Sequence, residues 1–185
     1  MENINLPQDI SILTFCKKTT LYLKIIGSLG QINVKVPEVI NFLQERHFVK
    51  ITTKKNKKFL KPYKKTFEKV FSSHLKSALK GLSTGFYSDL FIRGIGYKAI
   101  VNTLNKTIEF KIGKTHLVIK KINPQIKATY KIKKRKLYLS SYDKQQVTQF
   151  STEIRSFKIP DPYKAKGIRR AQEKITLKEG KKSRK

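Results

Sequence analysis

The sequence predicts an α+β protein of two tandem, duplicated domains, each an antiparallel sheet packed on one face by one main helix. Three observations predict it: strand-forming runs rich in Ile, Leu and Val, an amphipathic helical pattern after each set of strands, and recurrence of that order over units of roughly 80 residues. The expected boundaries are 1–88 for the first domain, 89–170 for the second and 171–185 for a basic C-terminal tail.

Residues 19–26 and 31–36 read as strands joined by Gly27-Ser28-Leu29-Gly30, whose glycines suit a tight hairpin. A shorter strand signal covers 47–53. The polar run Thr53-Lys54-Lys55-Asn56-Lys57-Lys58 then leads to Pro62, which a helix tolerates in its first turn. Phe67, Val70, Phe71, Leu75, Ala78, Leu79 and Leu82 recur at helical spacing, with Lys64, Lys65, Lys69, Lys76 and Lys80 around them. Gly81 and Gly85 mark the end of that helix.

In the second domain, strand signals cover 90–104, 107–112, 117–122, 126–131 and 136–140, with clean alternation at Ile108, Phe110 and Ile112. A second helix follows, with Asp143 as N-cap, Gln146 completing a capping box, and Val147, Phe150, Ile154 and Phe157 facing inward. Pro160 and Pro162 stop it. Each sheet keeps a solvent-facing side where cations can collect. Residues 171–185 hold five Lys and one Arg with few apolar anchors, and are expected to lack fixed structure until they meet a partner.

The charge balance narrows the function. Among 185 residues, 42 Lys+Arg face 12 Asp+Glu, so 30 cations lack an acidic counterpart. Self-repulsion on that scale points to a polyanionic partner. No run approaches the ~18 apolar residues of a spanning helix, so membrane insertion is not expected. With one cysteine, Cys16, no internal disulfide forms, and His47, His74 and His116 stand apart without metal-ligand spacing. No cofactor is implied.

Gly94-Ile95-Gly96-Tyr97-Lys98-Ala99 has the spacing of a dinucleotide fingerprint, yet β-branched residues follow it, and about 20 residues on stand His116 and Leu117 where an acid belongs. A strand bent by two glycines fits better, allowing close backbone approach, with Tyr97 and Lys98 on opposite faces. Glu68, Asp89, Glu109, Asp143, Glu153 and Asp161 are isolated in sequence, and no nucleophile setting is present, so an enzyme, here a Mg²⁺-dependent nuclease, would need acids that converge only in space.

The most informative stretch is 158–170, where Pro160 and Pro162 fix an extended backbone and the cations Lys158, Lys164, Lys166, Arg169 and Arg170 flank Tyr163 and Gly167. Such a segment can hold cations against phosphates while Tyr163 stacks on a base or sugar. The run 54–65, with Phe59 and Tyr63 among its lysines, has the same basic and aromatic character.

Glu153-Ile154-Arg155-Ser156-Phe157 followed by Pro160-Asp161-Pro162-Tyr163-Lys164-Ala165-Lys166-Gly167-Ile168-Arg169 closely resembles the C-terminal signature of the bacterial-type family of large-subunit ribosomal protein six. Leu6-Pro7-Gln8-Asp9-Ile10 is similar to that family's opening strand, Gly27 to Gly30 to its first hairpin, and the Gly94 block to the entry of its second domain. Asp143-Lys144-Gln145 and Leu177-Lys178-Glu179-Gly180-Lys181-Lys182 fit as well. Ala165 stands where the family usually has Gly, Arg170 where an aromatic is common, and the first hairpin lacks the usual Pro-Lys centre.

The resemblance implies a structural, non-enzymatic subunit bound to domain VI of large-subunit ribosomal RNA, near the sarcin-ricin loop and the site of translation factors, with ribosomal proteins as neighbours and no homo-oligomer. On that reading Gly94, Gly96, Tyr97, Lys98, Lys158, Tyr163, Lys164, Lys166, Gly167, Arg169, Arg170 and Lys174 are the expected RNA-binding residues. The rival class is a DNA-compacting architectural protein, which would bind random duplex DNA equally well. Lys outnumbers Arg by 35 to 7, a bias toward A/T-rich codons, and the first seven residues include an acid and no Arg, unlike a mitochondrial presequence. A mitochondrial ribosome in the matrix is therefore expected, ahead of the cytoplasm of an A/T-rich bacterium or a plastid.

Overall fold

The computed structural model describes residues 2–17, 20–44, 48–53 and 63–180. The chain divides into two compact units, Met1–Gly85 with Tyr142–Lys144, and Phe86–Ser141 with Gln145–Lys185.

The first unit contains β1 (Glu2–Asn5), β2 (Ser11–Lys17), β3 (Thr20–Gly27), β4 (Gly30–Lys35), β5 (Ile40–Gln44), β6 (Phe48–Thr53) and α1 (Lys64–Ser83). Its strands form two antiparallel sheets, ordered β1-β6-β5 and β2-β3-β4. One core joins both: Leu23 and Ile25 of β3, Ile51 of β6, and Leu75 and Leu82 of α1 are all fully enclosed. Each such side chain contributes about 1.5–3 kcal/mol when removed from water, which outweighs the poor helix-start chemistry of α1, where no acid stands in the first turn and Tyr63 supplies no side-chain cap.

The buried stripe of α1 begins at Phe71, because Phe67 and Val70, expected inside, remain exposed. Gly81 sits within the last turn. Gly85, in the left-handed region at φ +74°, ends the helix, its N–H donating to the Gly81 carbonyl at 3.0 Å. The β3–β4 hairpin pairs Gly27 with Gly30 as expected. Gly27 is needed for close approach, since a Cβ there would stand 2.8 Å from the Leu82 Cβ. Residues 6–10, expected as an opening strand, instead form the turn between β1 and β2, with the Ile10 N–H donating to the Pro7 carbonyl at 3.2 Å. Pro62, His47 and residues 54–61 of the basic run lie outside the described residues.

The second unit contains β7 (Phe86–Arg93), β8 (Lys98–Asn102), β9 (Thr107–Lys111), β10 (Val118–Lys121), β11 (Lys127–Lys131), β12 (Lys136–Ser141), α2 (Lys144–Ser156) and β13 (Gly167–Arg170). These strands also split into two antiparallel sheets, β11-β12-β7-β13 and β10-β9-β8. The expected continuous strand over 90–104 is broken at 94–97, where the chain leaves one sheet for the other. Val147, Phe150 and Ile154 of α2 close the core over Leu90, Ile92, Leu137, Leu139 and Ile168. Phe157, just past the helix, meets Phe110 edge-on at 5.7 Å. Gln146 directs its amide nitrogen at the Gln125 side-chain oxygen, so that nitrogen serves a neighbouring loop.

A basic segment expected to stay outside any core supplies β13. It completes the four-stranded sheet by pairing Gly167↔Arg93 through Arg170↔Leu90, and its Ile168 is fully buried. Backbone pairing needs no side-chain pattern, and one inward Ile among cations is enough to anchor a four-residue edge strand.

Candidate nucleic-acid interface

Between α2 and β13 the chain makes a closed loop. The Ile168 N–H donates to the Lys158 carbonyl at 2.9 Å, fastening the two ends. Asp161 holds the interior: its N–H donates to the Lys166 carbonyl at 2.9 Å, and its own carbonyl accepts from the Ala165 N–H at 2.9 Å. Its carboxylate accepts from the Tyr163 N–H at 3.1 Å and the Lys164 N–H at 3.3 Å. A short acidic side chain bonding backbone two and three residues on is the device that lets Asp rigidify a turn.

Two positions show how tightly the loop closes. A Cβ on Gly167 would lie 2.8 Å from the Ile159 carbonyl oxygen and the Pro160 Cα. Ala165 sits in the left-handed region at φ +52°, where a side chain costs about 1 kcal/mol relative to glycine. Tyr163, Lys164 and Lys166 are carried on this frame; Tyr163 is 56% exposed and Lys164 is exposed, while Lys166 is half-buried.

The Gly94 turn lies beside this loop, since Gly167 pairs with Arg93 immediately before it. Gly94 is required by Tyr97, because a Cβ at 94 would stand 2.4 Å from that ring, and Gly113 lies against the same ring. Tyr97 therefore packs against its own domain, its ring lodged between two glycines. At Gly94, the first of the two glycines at which a close backbone approach was expected, the near neighbour is that internal ring. Gly96 is exposed at φ +72°, and Lys98 is exposed opposite Lys111.

Sequence reasoning left out a third loop at this end of the sheet. The β11–β12 turn brings Arg135 to the Gly94 carbonyl at 3.4 Å, and the Arg135 carbonyl accepts from the Ile92 N–H at 3.0 Å. Lys133, Lys134 and Arg135 are exposed there, as is Arg93. The run Lys133-Lys134-Arg135-Lys136 was the available signal, at a hairpin tip between two strands.

The remaining expected residues separate. Arg169 and Arg170 alternate along β13. Arg169 lies over the Phe91 ring at 5.7 Å, away from α2, whereas Arg170 reaches the Thr152 hydroxyl on α2. The Nε of each is buried without a hydrogen-bond partner. Lys158 is half-buried and Lys174 exposed. Among the described residues, no group of three or more His, Cys, Asp and Glu side chains is placed to hold a metal ion, and no helix is long and apolar enough to cross a membrane.

The segment 171–180 has neither helix nor strand, but it is tied down. The Ala171 N–H donates to the Asp89 carbonyl at 3.0 Å and the Lys178 N–H to the Pro162 carbonyl at 3.0 Å. Glu173 accepts from Arg155 Nε at 2.8 Å and from the Arg170 N–H at 3.2 Å. The Arg155 hydrogen bonds hold the Glu173 carboxyl below its ordinary value of 4.5, and the same bonds raise Arg155. A depressed carboxyl contributes stability in full above 4.5 and loses it as pH falls through the lowered value. Protection of the Ala171 amide from hydrogen exchange should thus hold steady from pH 7 to 5 and decline below 4.5. Glu173→Gln should lower it about fivefold at neutral pH, the effect of losing about 1 kcal/mol from a half-screened ion pair. A pH-independent protection, unchanged in the variant, would contradict the anchor.

Comparison with known proteins places this geometry in a lineage. A family model described as "Ribosomal protein L6" matches residues 93–171, from the last residue of β7 to the residue after β13. The large ribosomal subunit protein uL6 of Bartonella quintana is 42% identical over 102 residues, a match spanning 55% of this chain and 56% of its own length. That of Karelsulcia muelleri is 31% identical over 180 residues, 96% of each chain, and that of Mycoplasma genitalium is 32% identical over 178 residues, 95% of this chain and 90% of its own. With two relatives matched over nearly its whole length, the chain belongs to the ribosomal protein L6 (uL6) family.

Proposed function

We propose that the protein is a structural constituent of the large ribosomal subunit that binds large-subunit rRNA chiefly through its second unit, at domain VI near the sarcin-ricin loop and the translation-factor site. The observation that carries this reading is the closed loop 158–168, which holds Tyr163, Lys164 and Lys166 on a frame locked by Asp161 and Gly167. Preformed cations meet phosphates without the ordering entropy that flexible ones lose, so rigidity converts a nonspecific attraction into one that fits a folded RNA.

In this arrangement Lys164, Lys166, Lys158 and Arg169 contact phosphates, with Lys174 and Arg170 at the margin, and Tyr163 makes a stacking or sugar contact. The turn Gly94, Gly96, Tyr97 and Lys98 borders the same surface, with Tyr97 holding the turn in shape. Neighbouring ribosomal proteins share the surroundings, translation factors act nearby, and no membrane insertion or homo-oligomer is involved. The family is structural and non-enzymatic. Four of the acids are used separately: Asp89 pairs with Lys136, Glu153 with Lys120, Glu173 with Arg155, and Asp161 with backbone.

Binding of a domain VI rRNA fragment, titrated across a range of salt, tests the reading. Log K should fall steeply with log salt, and Lys164→Met/Lys166→Met should flatten that slope by about 0.7–0.9 for each contact removed. Equal affinity for random duplex DNA, or a slope unmoved by the double substitution, would contradict it. We further infer a mitochondrial ribosome as the site of action, from the 35 to 7 ratio of Lys to Arg, a bias toward A/T-rich codons. The gene is then expected in a mitochondrial genome; its location in a bacterial chromosome or a plastid genome would overturn that placement.

A further inference from the structure

The four-stranded sheet of the second unit has one face under α2 and another turned away from it. Leu90, Ile92, Leu137, Leu139 and Ile168 alternate to the helix side, so Phe91, Lys136, Tyr138 and Arg169 alternate to the other. The pairing register aligns Lys131↔Lys136, Lys136↔Phe91 and Phe91↔Arg169, a single row that crosses all four strands. At about 4.8 Å between strands, the row spans roughly 14 Å.

The row is organised by rings. The Lys136 ammonium lies 5.3 Å from the Phe91 centroid and 4.6 Å from that of Tyr138, while Lys131 lies 5.1 Å from Tyr138 and Arg169 5.7 Å from Phe91. Each ring thus carries two cations. Asp89 bonds Lys136 at 2.7 Å and holds its ammonium charged, with a raised pKa. Among the described residues, no carboxylate lies on Lys131 or Arg169. A ring face already covered by cations is closed to a base, whereas the outward N–H groups of those cations remain available to an anion.

We propose that this row is a second RNA contact, a track for the phosphate backbone, in which Lys131, Lys136 and Arg169 bind phosphates and Phe91 and Tyr138 are positioning residues that hold the cations flat on the sheet. The occupant is RNA backbone by charge complementarity: the row sets three cations against one carboxylate. The inference rests on the rRNA-binding reading above and extends the contact from the loop 158–168 across the sheet.

The test is the full chain bound to a large-subunit rRNA fragment over a range of KCl, comparing wild type with Lys131→Met, Tyr138→Leu and Tyr138→Phe. Lys131→Met should weaken binding about fivefold and flatten the slope of log K against log salt by about 0.7–0.9. Tyr138→Leu should weaken binding about threefold while leaving the slope unchanged, because every charge remains, and Tyr138→Phe should restore wild-type affinity by keeping the ring. Lys131→Met, an exposed substitution, carries the test if Tyr138→Leu fails to fold. Wild type that binds while Lys131→Met binds equally, with the same slope, overturns the track and leaves the functional reading intact. Wild type that does not bind overturns both.

Discussion

The hydrogen bond from the Ile168 N–H to the Lys158 carbonyl is the point on which the interface depends. It closes the loop between α2 and β13, and it forms only because Gly167 has no Cβ to strike the 158–160 backbone. Once it is made, Ile168 enters the core beside Ile92, β13 pairs with β7, and Asp161 gathers the intervening amides. A hydrophobic anchor, a glycine and a carboxylate therefore convert a strongly basic stretch, with every electrostatic reason to stay open, into a fixed projection beside the Gly94 and Arg135 turns.

The few acids of the chain show the same economy of placement. Glu173 straps the C-terminal segment to Arg155, Asp89 fixes Lys136 among aromatic rings, Glu153 ties β10 to α2 through Lys120, and Asp161 serves only backbone. Each of these four carboxylates holds a part of the structure in place. None of the four is gathered with others to neutralise the surplus of 30 positive charges, a surplus that favours a polyanionic partner. Ordering those cations in advance opposes folding through self-repulsion, and the two hydrophobic cores supply the stabilisation that offsets it.

Much of this was legible from residues alone. Helical spacing from Phe71 to Leu82 and from Val147 to Phe157 marked both helices, and the prolines at 160 and 162 marked the rigid segment. Four things were not legible, for definite reasons. β2 and β13 hold their places by backbone pairing, with only Ile12 buried in β2 and Gly167 and Ile168 in β13, so no alternation announced them. The opposite facing of Arg169 and Arg170 follows from that strand and was invisible while the segment read as a rigid extended stretch outside any sheet. Tyr97 was expected among the RNA-binding residues, yet its ring lies against Gly94 and against Gly113, which is 16 residues further along the chain than the tyrosine. The contribution of Lys131, Lys136 and Phe91 depends on a register between strands over 70 residues apart in the chain at its extremes, which no local pattern encodes.

The central claim is that the basic loop is ordered before RNA arrives. Amide hydrogen exchange of the protein without RNA measures it most directly. The Ala165 and Ile168 amides, bonded to the Asp161 and Lys158 carbonyls, should exchange at least about tenfold more slowly than the exposed Lys174 amide. Equal rates at all three, with protection appearing only after rRNA is added, would contradict the account and make the loop a segment that folds on its partner.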